Sequence, residues 1–233
     1  MKGLVLKSTG NNYKVKTDDD TIFDCRIKGK LRLNGIRSTN PIAVGDYVFF
    51  DLENESAGII TDIADRKNYI IRKASNLSKE SQIIAANIDM AYIVVTIRSP
   101  QTLLQFVDRF LVTAEAYDIP CTILINKYEL FQSAEDQTVI KEWKEIYKLA
   151  GYEVLCISTK TGYNIDELKK RLAGKVSLLS GNSGVGKTSI IKALTNNSEL
   201  KTSEISKSFH KGQHTTTFAE MYETTNGGNI IDT

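Results

Sequence analysis

Apolar residues follow one rhythm before residue 74 and another after residue 89. In the first stretch they come in short alternating runs at residues 4–6, 13–15, 21–33, 47–52 and 58–63. Turn-forming residues separate the runs: Thr9-Gly10-Asn11-Asn12, Asp18-Asp19-Asp20 and Asn40-Pro41. Five short strands of this kind predict a small all-β barrel over residues 1–73, of the OB type. Residues 74–88 are expected as a linker, because 75–87 is polar in tone. From residue 89 onward strands alternate with amphipathic helices, which predicts a mostly parallel α/β sheet over 89–233. Residues 91–97 are nearly all β-branched or apolar, as a strand buried on both faces requires. Leu103, Val107, Phe110, Leu111, Ala114 and Tyr117 then recur at helical spacing. A second buried strand is expected at 122–126 and a second helix at 134–150. The alternation continues through 153–158, 164–172, 176–180 and 187–194. Residues 218–223 and 229–231 flank Asn226-Gly227-Gly228, which marks an antiparallel hairpin.

Composition sharpens this only modestly. The chain has 233 residues, 41% hydrophobic and 25% charged, with a formal net charge of +2, values ordinary for a soluble protein. No apolar run reaches the roughly 20 residues that span a bilayer, and the start is too short in apolar residues for a secretory signal. A monomeric cytoplasmic protein with no membrane partner is expected. Cys25, Cys121 and Cys156 lack the paired spacing of a zinc site and read as small buried thiols.

The chemistry begins at Gly181-Asn182-Ser183-Gly184-Val185-Gly186-Lys187-Thr188, a full G-x-x-x-x-G-K-[ST] phosphate loop placed between a strand and a helix. Its glycines let backbone N–H groups converge on a phosphate at the positive end of the helix. Lys187 supplies a point charge between the β- and γ-phosphates, and Thr188 offers a hydroxyl to Mg²⁺. A Gly-rich turn with no ligand is the bland alternative.

This loop specifies a nucleoside triphosphate but not the base. Asn126-Lys127-Tyr128-Glu129 follows a buried strand and resembles the N-K-x-D motif of GTPases. That likeness implies a carboxylate that accepts both guanine N–H groups, a lysine stem over the base and an asparagine tied to the phosphate loop. Ser158-Thr159-Lys160-Thr161-Gly162 follows another strand and is similar to the S-A-K motif, whose middle backbone N–H meets the guanine oxygen. Together they point to GTP. Asp232 ends an apolar strand, where P-loop enzymes hold Mg²⁺ through water.

The guanine-reading motifs precede the phosphate loop, the reverse of the usual order. A candidate switch, Gly212-Gln213-His214-Thr215-Thr216-Thr217, follows it. With a small barrel in front, this order resembles the bacterial circularly permuted GTPases that depend on the small ribosomal subunit, the RsgA (YjeQ) family. Val44-Gly45-Asp46-Tyr47-Val48, Asp108-Arg109-Phe110-Leu111, Ser183-Gly184-Val185-Gly186-Lys187 and His214-Thr215-Thr216-Thr217 carry the likeness over essentially the whole chain. It implies a GTPase that binds the small subunit and its rRNA, is stimulated by it, and acts late in its maturation. Thr216 is then the residue expected to reach Mg²⁺ and the γ-phosphate. His214 is the candidate for orienting water, with a solvated loop histidine as the alternative, and His210 reads as surface. Glu129 stands where the family has Asp, and Gln213 where it commonly has Arg. The family continues past Asp232-Thr233 with a second switch and a Zn²⁺-binding C-terminal domain, so the sequence reads as a fragment.

Within residues 25–33, Arg26, Lys28, Lys30 and Arg32 fall on one strand face, with Arg37 beyond them and no acid between Asp24 and Asp46. A line of cations suits a phosphate backbone; an ordinary solvated face, bulged at Gly29, is the alternative. Two other functional classes stay open on these residues. One is a P-loop ATPase or small-molecule kinase, for which Asn126 and Ser158 are coincidence. The other is a non-catalytic RNA-binding module with a vestigial loop, against which the intact Lys187 and Thr188 argue.

Overall fold

The computed structural model describes residues 1–27, 41–73, 81–195 and 219–233. They form two compact units: Met1–Ile88 with a few residues near the end of the chain, and Asp89 onward.

The first unit is built on five strands: β1 Lys2–Thr9, β2 Asn12–Lys16, β3 Ile22–Ile27, β4 Tyr47–Leu52 and β5 Ala57–Ile63. Their order is β1-β2-β3-β5-β4, and β4 pairs back onto β1, so the sheet closes. Only β3 and β5 run parallel among these pairs, the connectivity of an OB barrel. Closure needs curvature, and register shifts supply it between Val5 and Lys7 in β1 and between Phe49 and Phe50 in β4. Alternate residues point inward, as the period of two dictates: Val5, Tyr13, Val15, Phe23, Cys25, Val48, Phe50 and Ile60 form one core with Ile42. The Phe50 ring lies so close to Gly58 that a β-carbon there would strike it. Asp46 is fully buried. It accepts from Nε of Arg66 at 2.7 Å, from Nη2 of Arg66 at 2.6 Å and from the Ala43 N–H at 2.8 Å. The pair closes a bidentate buried bridge next to the barrel's own backbone.

Strand β6 (Tyr69–Lys73) pairs antiparallel with β7 (Ser81–Ala86). The expected linker over 74–88 therefore contains a strand. Its polar flanks disguised the apolar run Ile83-Ile84-Ala85-Ala86, and Ile83 and Ala86 pack with Ala43, Tyr69 and Ile71. The Asn68 side chain then holds both the N–H and the carbonyl of Ile88, each at 2.8 Å.

The second unit comprises β8 (Met90–Val95), α1 (Leu104–Ala116), β9 (Cys121–Ile125), α2 (Ala134–Leu149), β10 (Glu153–Cys156), α3 (Ile165–Leu172), β11 (Val176–Gly181), α4 (Lys187–Thr195), β12 (Glu220–Glu223) and β13 (Asn229–Asp232). The strand order is β10-β9-β8-β11-β13-β12, and β10, β9, β8, β11 and β13 run parallel. Each central strand feeds two cores. Tyr92, Val94, Leu124 and Leu179 face α3 and α4 through Leu168, Leu172, Ile190 and Leu194. Ile93, Val95, Ile123 and Ile125 face α1 and α2 through Val107, Leu111, Ile140 and Trp143. Burial on both faces explains why the strands read as continuous apolar runs. Helix α2 opens on Ser133, whose hydroxyl accepts from the Asp136 N–H. Among the described residues no helix is long and apolar enough to cross a membrane.

Candidate nucleotide site

In an open parallel sheet the loops at the carboxyl ends of the strands meet where the chain reverses its direction of travel across the sheet. Here the chain moves outward from β8 to β9 to β10 and returns to the middle at β11. The loops after β8, β9, β10 and β11 consequently gather along one edge, and β13 ends beside them. Permutation is harmless to such a site because strand position, and not chain order, decides which loops meet.

The phosphate loop joins β11 to α4. Gly184 and Gly186 adopt φ of +81° and +100°, a region costly for any residue with a β-carbon. A side chain at Gly186 would also collide with the Asn126 amide. Val185 is buried and anchors the loop in the core. Lys187 folds back over the loop and donates to the Gly181 carbonyl at 2.7 Å and the Asn182 carbonyl at 3.3 Å. Its ammonium thus sits on the concave side, where the loop's backbone converges. Thr188 follows on the first turn of α4 and is half-buried.

The loop after β9 is locked to this one. Asn126 is buried, and its Nδ2 donates to the Val185 carbonyl at 2.8 Å across 59 residues of sequence. Lys127 takes a left-handed conformation, φ +61°, and leads into a single 3-10 turn, Tyr128–Leu130, that carries Glu129. The Lys127 ammonium donates to the Ser99 carbonyl at 2.6 Å. Burial lowers its pKa, and the charge of Glu129 partly opposes that shift. Oε2 of Glu129 and Oδ1 of Asn126 are both buried and have no hydrogen-bond partner among the described residues. Two acceptor oxygens in one loop with nothing to accept are costly in isolation. They are well suited to a ligand edge that presents adjacent N–H donors.

The loop after β10 is a tight turn. The Ser158 N–H donates to the Tyr163 carbonyl at 3.0 Å, the Gly162 N–H to the Ser158 carbonyl at 2.9 Å, and the Thr161 N–H to Oγ of Ser158 at 3.1 Å. Ser158 is fully buried, Thr159 half-buried and Lys160 exposed. The rings of Tyr128 and Tyr163 stack at 4.9 Å and 21°, joining the two loops.

Asp232 lies at the end of β13 in register with Leu179, and its Oδ1 is buried. Its carboxylate and the Thr188 hydroxyl are hard oxygen donors flanking the phosphate loop, a set that fits Mg²⁺, which takes few protein ligands and completes its shell with phosphate and water. His214 and Thr216 lie outside the described residues, as do Lys28, Lys30, Arg32 and Arg37. Arg26 projects from the barrel and pairs with Glu53 at 2.6 Å, the arginine side chain remaining 62% exposed. The tie from Asn126 to the phosphate loop is expected from the sequence, but its acceptor, the Val185 carbonyl, is not; nor are the Ser99 carbonyl that receives Lys127 and the ring pair of Tyr128 and Tyr163. Carbonyls carry no residue signature, so only the folded chain identifies them.

Comparison with known proteins accords with this site. A family model described as RsgA GTPase matches residues 63–233, and one described as RsgA N-terminal domain matches residues 2–60. Small ribosomal subunit biogenesis GTPase RsgA of Christiangramia forsetii is 51% identical over 236 residues, covering 100% of this chain and 75% of that protein. The protein of the same name from Phocaeicola vulgatus is 52% identical over 233 residues with the same coverage. Among solved structures, YjeQ from Thermotoga maritima is similar with a TM-score of 0.73 and 32% identity over 99% of this chain and 73% of that one. YloQ, a circularly permuted GTPase, gives 0.68 and 28% over 100% and 70%. An OB barrel ahead of a sheet whose Asn126 and Ser158 loops precede its phosphate loop, matched along its whole length at about half identity, makes this chain a GTPase of the circularly permuted RsgA family.

Proposed function

We propose that this GTPase binds the small ribosomal subunit and its rRNA in the cytoplasm and hydrolyses GTP to GDP and phosphate during the subunit's late maturation. The observation that carries the nucleotide half is the bond from Asn126 to the Val185 carbonyl. It fixes a base-reading loop against a phosphate loop, and a nucleotide is the ligand that needs both. In hydrolysis, water attacks the γ-phosphorus and the bond to the β,γ-bridging oxygen breaks, leaving GDP and inorganic phosphate. Lys187 supports the charge that develops on the bridging and γ-oxygens. Thr188, Thr216 and Asp232 are the residues that would hold Mg²⁺, which would supply further charge neutralisation when bound. His214 is proposed to orient the water. Glu129, Lys127 and the Ser158-Thr159-Lys160 turn select guanine.

The ribosomal half is supported by the relatives named for small-subunit biogenesis, which this chain matches over its full length. The cation row Arg26, Lys28, Lys30, Arg32 and Arg37 on the barrel is the proposed rRNA contact. The test is GTP hydrolysis by the full-length protein with and without purified small subunits. Turnover should rise with subunits and not with large subunits. Equal rates together with failure to cosediment with small subunits overturn the proposal.

A further inference from the structure

The loop after β8 is tied to the nucleotide site by contacts that the phosphate and guanine motifs do not explain. Its two ends are closed on each other: the Thr102 N–H donates to the Thr96 carbonyl at 3.0 Å, and the Thr96 N–H donates to Oγ1 of Thr102 at 3.2 Å. Thr96 and Thr102 are both buried. Arg98 reaches sideways to Asp136, a buried carboxylate on the first turn of α2 that also accepts from the Ser133 hydroxyl at 2.7 Å. The Ser99 carbonyl receives the Lys127 ammonium. Pro100 rests against the phosphate loop, 3.6 Å from where a β-carbon on Gly184 would stand.

We infer that Arg98, held by Asp136, positions Lys127 through the Ser99 carbonyl and thereby sets guanine-nucleotide affinity. Lysine has four rotatable bonds, and freezing them on binding is costly. A carbonyl that already holds the ammonium keeps the stem extended, so less order remains to be imposed when a base arrives. The carbonyl can do this only if its loop is fixed. Closing the loop at Thr96 and Thr102 fixes its base, and the charge-assisted pair of Arg98 and Asp136 fixes its tip. Arg98 is engaged by Asp136 and is linked to Lys127 only through the loop backbone at Ser99, so its role is that of a positioning residue. The inference rests on the reading of Lys127 as the residue that covers the base.

The experiment is a double-mutant cycle in the full-length protein, reading dissociation of a fluorescent GDP together with steady-state GTP hydrolysis. Arg98→Ala should weaken GDP and GTP about three- to tenfold, in the lower part of the range for coupled neighbours. It should raise KM for GTP and leave kcat at saturating nucleotide within about twofold. Arg98→Lys keeps one charge and should recover part of the loss, short of the parent because a single point charge replaces the fork. In a Lys127→Ala background, Arg98→Ala should have no additional effect, because the residue through which it acts is gone. If Lys127→Ala itself leaves guanine affinity unchanged, the reading of Lys127 fails. If Lys127→Ala weakens binding but Arg98→Ala does not, or if the two losses simply add, the positioning role is wrong and the pair with Asp136 serves only to hold α2. Thermal denaturation of each variant without nucleotide separates that structural outcome, since it lowers the midpoint with no nucleotide-dependent component.

Discussion

Glu129 closes the tetrapeptide Asn126-Lys127-Tyr128-Glu129, at the position where the N-K-x-D pattern has an aspartate, and replacing it gives a direct measure of how this chain reads its base. Its Oε2, in the 3-10 turn after Asn126, is buried and has no partner among the described residues, so the oxygen is poised to accept from a ligand. Guanine offers two adjacent donors, the ring N–H and the amino group, and each charge-assisted bond contributes about 1.5–3 kcal/mol. Losing both costs about 3–6 kcal/mol, or roughly two to four orders of magnitude in affinity. Glu129→Ala should therefore weaken GTP and GDP at least about a hundredfold and leave ATP unchanged. Glu129→Asp removes one rotor that must be frozen on binding, and should tighten GTP about two- to fivefold. Glu129→Gln should shift preference toward xanthosine triphosphate, because its amide donates to the oxygen that replaces guanine's amino group. The same burial makes a stability prediction of opposite sign. An unpartnered buried oxygen costs about 1–3 kcal/mol in the unliganded fold, so Glu129→Ala should not lower the denaturation midpoint. Affinities for the three nucleotides by competition against a fluorescent GDP, with melting curves alongside, give the answer. An alanine variant that still discriminates guanine from adenine as the parent does would refute the assignment.

Other substitutions test the rest of the site and the barrel. Lys187→Ala should remove most nucleotide affinity and lower turnover by at least about a hundredfold, read by nucleotide titration and phosphate release; unchanged affinity rejects the phosphate loop. Neutralising Arg26, Lys28, Lys30 and Arg32 together should weaken rRNA binding and flatten its log–log salt slope by about 3, the equivalent of four phosphate contacts; an unaltered slope leaves the row a solubility feature. Asp46→Ala strands the Arg66 guanidinium, whose side chain is only 8% exposed, and should destabilise the barrel by about 3–5 kcal/mol, seen as a lower midpoint in denaturant. Burial pushes the thiols of Cys25 and Cys121 up to about 11 and about 12. Because a raised thiol pKa favours the protonated form, both should resist a disulfide reagent at pH 8 and label at the unfolded rate only in denaturant. The stabilising contribution of each neutral thiol is present below pH 9 and lost as pH rises toward those values.

The sequence by itself determined the elements and the chemistry. Short alternating runs broken by turn residues marked the barrel strands, while which residues form its core, from Val5 and Tyr13 to Phe50, is read from the folded sheet. Double burial made β8, β9 and β11 legible as apolar runs, and Gly184, Gly186 and Lys187 declared the phosphate loop through residue types that little else demands. Where the pattern failed, at β7, the apolar run was four residues long between polar flanks, and only packing against Ala43 and Tyr69 made it a strand. Register, closure and contact belong to the tertiary structure, since they depend on backbone groups that every residue shares. The N-K-x-D likeness ties Asn126 to the phosphate loop, but no motif names the Val185 carbonyl as its acceptor, or announces that Ser99 will receive Lys127 or that Asp136 will hold Arg98. Those pairings arise because the parallel sheet carries the ends of β8, β9 and β11 to one edge, bringing together loops that lie up to about ninety residues apart in the chain.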